Sequence, residues 1–437
     1  MVLLSGEWYA WDILSSLRNR NSFTMTHYLI CAVGSSGDVH PFVGLGRKLQ
    51  QRGHRVTLIT AGYFRKLAEA SGFGFVDTMP ECDFHQLVND PDLWHPTKGT
   101  KRVMQLAVRK NLEPVYRAIE QLYVPGSTRL VASSLAFGAR VAQEKLDAPL
   151  VSVHLSPVLF RSEFEGPRLP RLMLHLGPRW FKRFQWWFAD RTVIDPMICP
   201  WLNGFRSTLG LPPAKRIFRD WWHSPRRVLA MFPEWFAAKQ PDWPTQTVLA
   251  GFPLYSEEGI TPMPSELDHF LSDGPAPIAF TPGSANIFGM KFFQAAADAC
   301  RIMGKRGILL TRFAEQIPAS LPRNVRHFDF APFKELLPRC EALVHHGGIG
   351  SLSQAMSAGI PQVIMPMGFD QIDNAHRVWS LGVGDSVFPK RFEGDRLAMT
   401  LRNLMANPNT AGACKQLAEK IAQVDSLELA CDVIESS

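Results

Sequence analysis

Twice in this chain a short apolar run stops at a cluster of glycines and gives way to a helix-compatible stretch. In the first half, Tyr28 to Val33 runs into Gly34-Ser35-Ser36-Gly37-Asp38, and residues Pro41 to Arg52 suit a helix. A second apolar run, Val56 to Thr60, follows Gly53-His54-Arg55. Strand, glycine loop, helix, strand is a βαβ unit that opens a parallel sheet. Leu130 to Ser133, a helix over Ala136 to Leu146, and Leu150 to His154 extend the pattern.

The alternation then starts again. Turn-rich residues 256–277 precede Ile278 to Thr281, which ends in Pro282-Gly283-Ser284, and a helix is expected over Met290 to Met303. Gly307 to Thr311, Ala342 to His345 and Val363 to Pro366 read as further strands. A chain of 437 residues is too long for one ordinary core, and two units of roughly 200 residues are expected. The reading is therefore α/β: two Rossmann-like parallel-sheet domains, 25–250 and 251–437, facing a central cleft. Thr247 to Leu254 is expected to cross between them. Residues 1–24 read as an unstructured N-terminal extension, or else translation begins at Met25. An amphipathic membrane anchor is the alternative, since the segment carries Trp8, Tyr9 and Trp11 but no basic n-region or cleavage site.

Residues 160–245 have a different character. They hold eight of the twelve tryptophans (180, 186, 187, 201, 221, 222, 235, 243) without a regular period. A helical insertion with an aromatic core and a wall for a greasy ligand both remain open. The net charge of +7 suits acidic ligands such as phosphate esters or anionic lipid. The basic residues are dispersed, and no nucleic-acid partner is expected. Seven scattered cysteines without a Cys-x-x-Cys pair suggest neither zinc nor disulfides and fit a reducing cytoplasm. No apolar run approaches the length of about 18 residues that a membrane helix needs.

The loop from His345 to Ser351 carries the most specific chemistry. An apolar strand feeds glycines, and a helix is expected to begin near Ser351. Free backbone N–H groups and the positive end of a helix then converge, which makes an anion site. Glycines allow close approach of phosphate, Ser351 adds a hydroxyl, and His346 can donate from its ring. The Gly-x-Gly-x-x-Gly spacing of nicotinamide enzymes is absent, and the next strand ends in Met365-Pro366 rather than an acidic residue.

The His-His-Gly-Gly-x-Gly-Ser run, Gly359-Ile360-Pro361-Gln362 and Asp370-Gln371-x-x-Asn374-Ala375 resemble the donor signature of family 1 GT-B glycosyltransferases. Gly34-Ser35-Ser36-Gly37-Asp38-Val39-x-Pro41 resembles the acceptor-side motif of that family's bacterial members. Within the family, several further stretches resemble the branch that makes rhamnolipids. These include Asp90-Pro91-x-Leu93-Trp94, Glu113-Pro114-Val115-Tyr116, Lys215-Arg216-Ile217-Phe218, Trp222-His223-Ser224-Pro225 and Asp242-Trp243-Pro244. The likeness spans nearly everything from Met25 onward.

The resemblance implies a GT-B fold with acceptor bound by 25–250 and nucleotide sugar by 251–437. It implies that His346, Gly348, Gly350 and Ser351 hold the diphosphate and that Asp370 and Gln371 bind sugar hydroxyls. Ser284 would touch diphosphate or ribose, and Phe330-Ala331 would pack the base, with core packing the competing role for Phe330. Family members that use UDP-sugars often carry a glutamate where this chain has Gln354, and loss of that carboxylate fits the single ribose hydroxyl of a dTDP-sugar. Asp38 matches the proposed base, with His40 as the alternative. Asp90-Pro91-Asp92 has the spacing of a metal-binding pair but sits in a proline-bounded loop, so no metal or other cofactor is expected.

The expected reaction is inverting transfer of L-rhamnose from dTDP-L-rhamnose to a 3-(3-hydroxyalkanoyloxy)alkanoate, a hydroxyacyl lipid. The alternatives are glucosyl transfer to a similar lipid, sterol or macrolide, an epimerase, and a non-catalytic activator subunit. An acyltransferase partner and peripheral contact with the inner membrane face complete the expectation.

Overall fold

The computed structural model describes residues 25–95, 98–169, 177–255, 262–284, 286 and 289–437. The expected extension, 1–24, lies outside them. The first sheet contains β1 (His27–Cys31), β2 (Arg55–Thr60), β3 (Gly74–Asp77), β4 (Thr128–Ser133), β5 (Leu150–His154), β6 (Arg227–Ala230) and β7 (Thr247–Leu249). Its order is β3-β2-β1-β4-β5-β6-β7, and every pairing is parallel. The second contains β8 (Ile278–Thr281), β9 (Gly307–Leu310), β10 (Val325–Phe328), β11 (Ala342–His345), β12 (Gln362–Ile364) and β13 (Gly384–Ser386), in the order β10-β9-β8-β11-β12-β13, again all parallel. Both faces of such sheets are covered, which is why Leu29, Ile30 and Cys31 in β1 and Leu343 and Val344 in β11 are wholly buried. Two Rossmann-like domains, the α/β class expected, are thus in place.

Several details differ from the sequence reading. Helix α1 spans Ser36–Gln51, not Pro41 onward, so Asp38 lies in its first turn rather than in a loop. Strand β6 lies inside the aromatic-rich stretch that read as a helical insertion, and Thr247–Leu249 is the edge strand β7 rather than part of a crossing. In that stretch helix α2 (Arg179–Ala189) buries no residue, leaving Trp180, Phe184, Trp187 and Phe188 exposed. Helix α3 (Ile349–Ser357) starts two residues before Ser351.

A further difference concerns the boundary at 251. Past helix α4 (Gln371–Ser380), the chain ends in helix α5 (Ser426–Glu435), which returns to the first domain. Ala430, Cys431, Val433 and Ile434 join the core of Tyr28, Ile30, Phe42 and Leu45. Lys48 pairs with Asp425 (3.0 Å) and Glu428 (2.8 Å), and Arg52 pairs with Glu428, Asp432 (2.8 Å) and Glu435 (2.9 Å). Residues 426–435 therefore belong with 25–250 by packing, and the two domains are strapped together at the chain's end.

Candidate active site

The carboxyl ends of both sheets open onto one cavity of about 2140 Å³, the place where α/β sheets bind ligands. On the second-domain side, β11 ends at His345 and α3 begins at Ile349, with Gly348 as its N-cap. Buried His345 braces this turn. Its Nδ1 accepts from the Gly347 N–H (3.1 Å), so Nε2 carries the proton and donates to Gln362 Oε1 (2.9 Å). Burial pushes its pKa down to about 3, keeping the ring neutral.

His346 points the other way, into the cavity. Its ring lies so close to two glycines that a Cβ on Gly283 would sit 2.6 Å from Cε1, and one on Gly348 would sit 2.6 Å from Nε2. Gly283 also has φ +96°, so no other residue suits that turn. Burial pushes the His346 pKa down to about 4. Its Nδ1 is buried without a hydrogen-bonding partner among the described residues.

Asp370 and Gln371 open α4 beside this loop. Asn374 fastens the two together, donating to Gly347 O (2.9 Å) and to Asp370 Oδ2 (2.8 Å). Gln371 Oε1 accepts from the N–H groups of Met367 (2.8 Å) and Gly368 (3.2 Å), which leaves its amide nitrogen as the group to offer a ligand. Phe369 is held at φ +54°, rare for an aromatic residue. The Asp370 carboxyl is pushed up to about 6, mainly by burial and further by the nearby negative charge of Asp38.

Asp38 comes from the first domain. Its Oδ2 accepts from Ser35 N (2.8 Å) and Ser35 Oγ (3.0 Å), a reciprocal cap on α1. The carboxylate folds back over Gly34, whose φ is +137° and where a Cβ would lie 2.3 Å from Oδ2. Burial pushes the Asp38 pKa up against the lowering effect of the Ser35 bonds. Two carboxylates from different domains thus face one cavity. His40 sits in edge contact with the Tyr255 ring, 6.1 Å between centroids.

The remaining expected residues also line this cavity: Ser284, Phe330, Ala331, Gly350, Ser351 and Gln354. Phe330 lies 5.5 Å from the Arg312 guanidinium, and Arg312 reaches across to Tyr63 OH (3.2 Å). Gln354 Nε2 donates to Tyr255 O (3.2 Å), so its Oε1 is the acceptor it can present. Asp90 Oδ1 closes a local turn by accepting from Asp92 N (2.8 Å), while Asp92 pairs with Lys98 and Arg102. Sequence reasoning left His345 and Asn374 without a role here and missed Trp94 and Ser156 as cavity residues. The Asp370–Asn374 spacing, one helical turn, was the available signal for Asn374.

An anion-binding helix N-terminus on one Rossmann-like domain, facing a carboxylate of the other across one cavity, suits an enzyme that transfers a group from a phosphorylated donor. Comparison with known proteins names the group. Residues 28–164 match the glycosyltransferase family 28 N-terminal domain, and residues 307–435 match the erythromycin biosynthesis protein CIII-like C-terminal domain. The chain is 30% identical to the O-mycaminosyltylonolide 6-deoxyallosyltransferase of Streptomyces fradiae, over 93% of this chain and 96% of that one. It is 26% identical to the terpene cyclase-glycosyl transferase fusion protein of Humicola fuscoatra, matching 94% of this chain but 34% of the fusion. The spinosyn rhamnosyltransferase SpnG, solved with thymidine diphosphate, shares the fold with a TM-score of 0.65 at 18% identity, over 93% of this chain and 99% of that one. The chain belongs to the GT-B nucleotide-sugar glycosyltransferases.

Proposed function

We propose that this enzyme transfers L-rhamnose from dTDP-L-rhamnose to the hydroxyl of a 3-(3-hydroxyalkanoyloxy)alkanoate, with inversion. The observation that carries the acceptor class is the first-domain half of the cavity. Met104, Leu159, Phe184, Phe188, Met197 and Phe218 line it, and exposed Lys66 and Lys101 stand among the lining residues. Apolar walls suit acyl chains, and the lysines suit a terminal carboxylate. The exposed aromatic face of α2 continues this surface outward, which fits an acceptor taken from anionic lipid.

Asp38 accepts the proton as the acceptor oxygen attacks the anomeric carbon, and the bond from that carbon to the diphosphate oxygen breaks. The dTDP leaving group is held at the N-terminus of α3 with His346, Gly348, Gly350 and Ser351. Asp370 and the Gln371 amide hold sugar hydroxyls, Phe330 and Ala331 pack the base, and Ser284 lies by the diphosphate. The Gln354 Oε1 can accept from the single hydroxyl of a deoxyribose. No metal or other cofactor is assigned a step.

A direct assay tests this. Purified protein is given dTDP-L-rhamnose or UDP-glucose, with the lipid dimer in anionic vesicles or with a macrolide aglycone, and products are read by mass spectrometry. Rhamnosylated lipid is the expected product. Consumption of UDP-glucose alone refutes the donor, and glycosylation of the macrolide alone refutes the acceptor. The macrolide arm is included because the Streptomyces fradiae relative is named for a tylonolide substrate. His346→Ala is expected to weaken dTDP and dTDP-sugar binding alike, by about tenfold or more, in calorimetric titration. Unchanged dTDP affinity removes its phosphate role.

A further inference from the structure

Trp94 belongs to the first domain by chain position yet sits against the donor loop of the second. Its indole meets the His346 ring edge-on, with centroids 6.4 Å apart and planes at 81°. It also packs against Phe369, 5.7 Å between centroids, the strained residue just before Asp370. A turn precedes Trp94. Leu93 N donates to Asp90 O (3.0 Å), and a Cβ on Gly99 would lie 2.3 Å from Leu93 O and 3.3 Å from the Phe369 ring.

Within this well-packed setting two polar atoms stand unpaired. Trp94 Nε1 and His346 Nδ1 are both buried without a hydrogen-bonding partner among the described residues, and both side chains line the cavity. An orphaned buried N–H is costly and uncommon in a native fold. An indole nitrogen only donates, so what satisfies it must bring an acceptor. The two nitrogens lie where the Trp94 segment packs on the donor loop, beside a helix N-terminus; the indole calls for an acceptor, and a phosphate oxygen is the acceptor that such a terminus also favours.

We propose that Trp94 Nε1–H donates to the terminal phosphate of the nucleotide diphosphate, opposite His346, so that both domains grip the leaving group. The proposal rests on the reading of the His346 loop as the diphosphate seat and is indifferent to the sugar and the acceptor. It gives Trp94 a part that no second-domain residue plays: the first domain itself supplies a bond to the leaving group. Because charge grows on that phosphate as the glycosidic bond breaks, the bond strengthens toward the transition state.

The test titrates wild type, Trp94→Phe and Trp94→His with dTDP and with dTMP, which lacks the terminal phosphate. Trp94→Phe keeps the ring packing and removes the N–H. It is expected to weaken dTDP binding about tenfold, leave dTMP within about twofold, and lower kcat more than it raises the acceptor KM. Trp94→His, which keeps a ring N–H, is expected to recover part of the dTDP affinity. Undiminished dTDP binding in Trp94→Phe, or equal losses for dTDP and dTMP, overturns the proposal. If wild type itself fails to prefer dTDP over dTMP, the diphosphate seat is wrong instead. Should Trp94→Phe not fold, ¹⁵N-tryptophan-labelled wild type serves: at least one indole N–H resonance must shift with dTDP and stay in place with dTMP, and no such shift overturns the proposal.

Discussion

Asp38→Asn is expected to lower kcat for sugar transfer by about 10²- to 10⁴-fold, the usual contribution of a positioned general base. The same change should leave dTDP affinity within about twofold, because the nucleotide seat is built by the other domain. It should also leave the fold nearly intact. Ser35 N and Oγ both donate to one carboxylate oxygen, and the asparagine carbonyl can accept both bonds and still cap α1. A loss of stability of about 1 kcal/mol at most is therefore anticipated, the size of a helix-cap change. Wild-type turnover should fall on the acid side with an apparent pKa above the ordinary aspartate value. Burial raises the Asp38 carboxyl, and the negative charge of Asp38 in turn helps raise Asp370 to about 6. Steady-state rates from pH 5 to 8, with melting curves of both proteins, decide the matter. If Asp38→Asn turns over at the wild-type rate, the base is not Asp38 and His40 becomes the residue to change.

The residues that made the fold legible were those whose local signal is also their tertiary role. Apolar runs such as Leu29-Ile30-Cys31 are buried on both faces, so they read as strands whatever surrounds them. Glycines 283 and 348 read as a phosphate-type loop, and the structure adds that they are required because His346 lies against them. The start of α1 was misplaced because Ser35-Ser36-Gly37 has loop composition. Ser35 and Asp38 nonetheless stand at N-cap and N3 spacing, a signal that points to the earlier start. Strand β6 was hidden because four residues flanked by aromatics and prolines carry too little period.

The return of α5 is of another kind. Nothing local says which domain an amphipathic helix covers, and only its acidic row, Asp425, Glu428, Asp432 and Glu435, opposite Lys48 and Arg52 identifies the partner after the fact. Trp94 was quoted as part of a motif but could not be placed at the site, since its neighbours His346 and Phe369 lie 252 and 275 residues away in the chain. Cross-domain contacts of this sort are invisible to periodicity.

Stability should fall steeply between pH 6.5 and 4.5, earlier than surface carboxylates alone would produce. Four histidines are held neutral in the folded state. Burial pushes His223 and His345 down to about 3 and His346 to about 4, and takes His154 well below its ordinary value. Geometry agrees. Trp222 Nε1 donates to His223 Nε2 (3.0 Å), so His223 Nδ1 carries its proton and donates to His154 Nε2 (2.9 Å); a further proton on His154 Nε2 would set donor against donor. His345 Nδ1 is likewise committed to accepting from Gly347. Once unfolded, all four take up protons near pH 6.5, so their stabilising contribution is complete above that pH and is lost as pH falls below it. Each costs about 1.4 kcal/mol per pH unit. Asp38 and Asp370 oppose them: with folded pKa values raised, they hold protons that the unfolded chain releases, and so favour the folded state as pH falls toward the ordinary carboxylate range. The four histidines outnumber the two opposing carboxyls, so the net effect is a stability that falls as pH drops through this range. Urea midpoints at pH 7.5, 6.5, 5.5 and 5.0 measure this directly. Asp370→Asn removes one opposing group and is expected to steepen the slope below pH 6. A midpoint that stays level from pH 7 to 5 would show that these histidines accept protons in the folded state, and with them the neutral-ring account of the donor loop would fall.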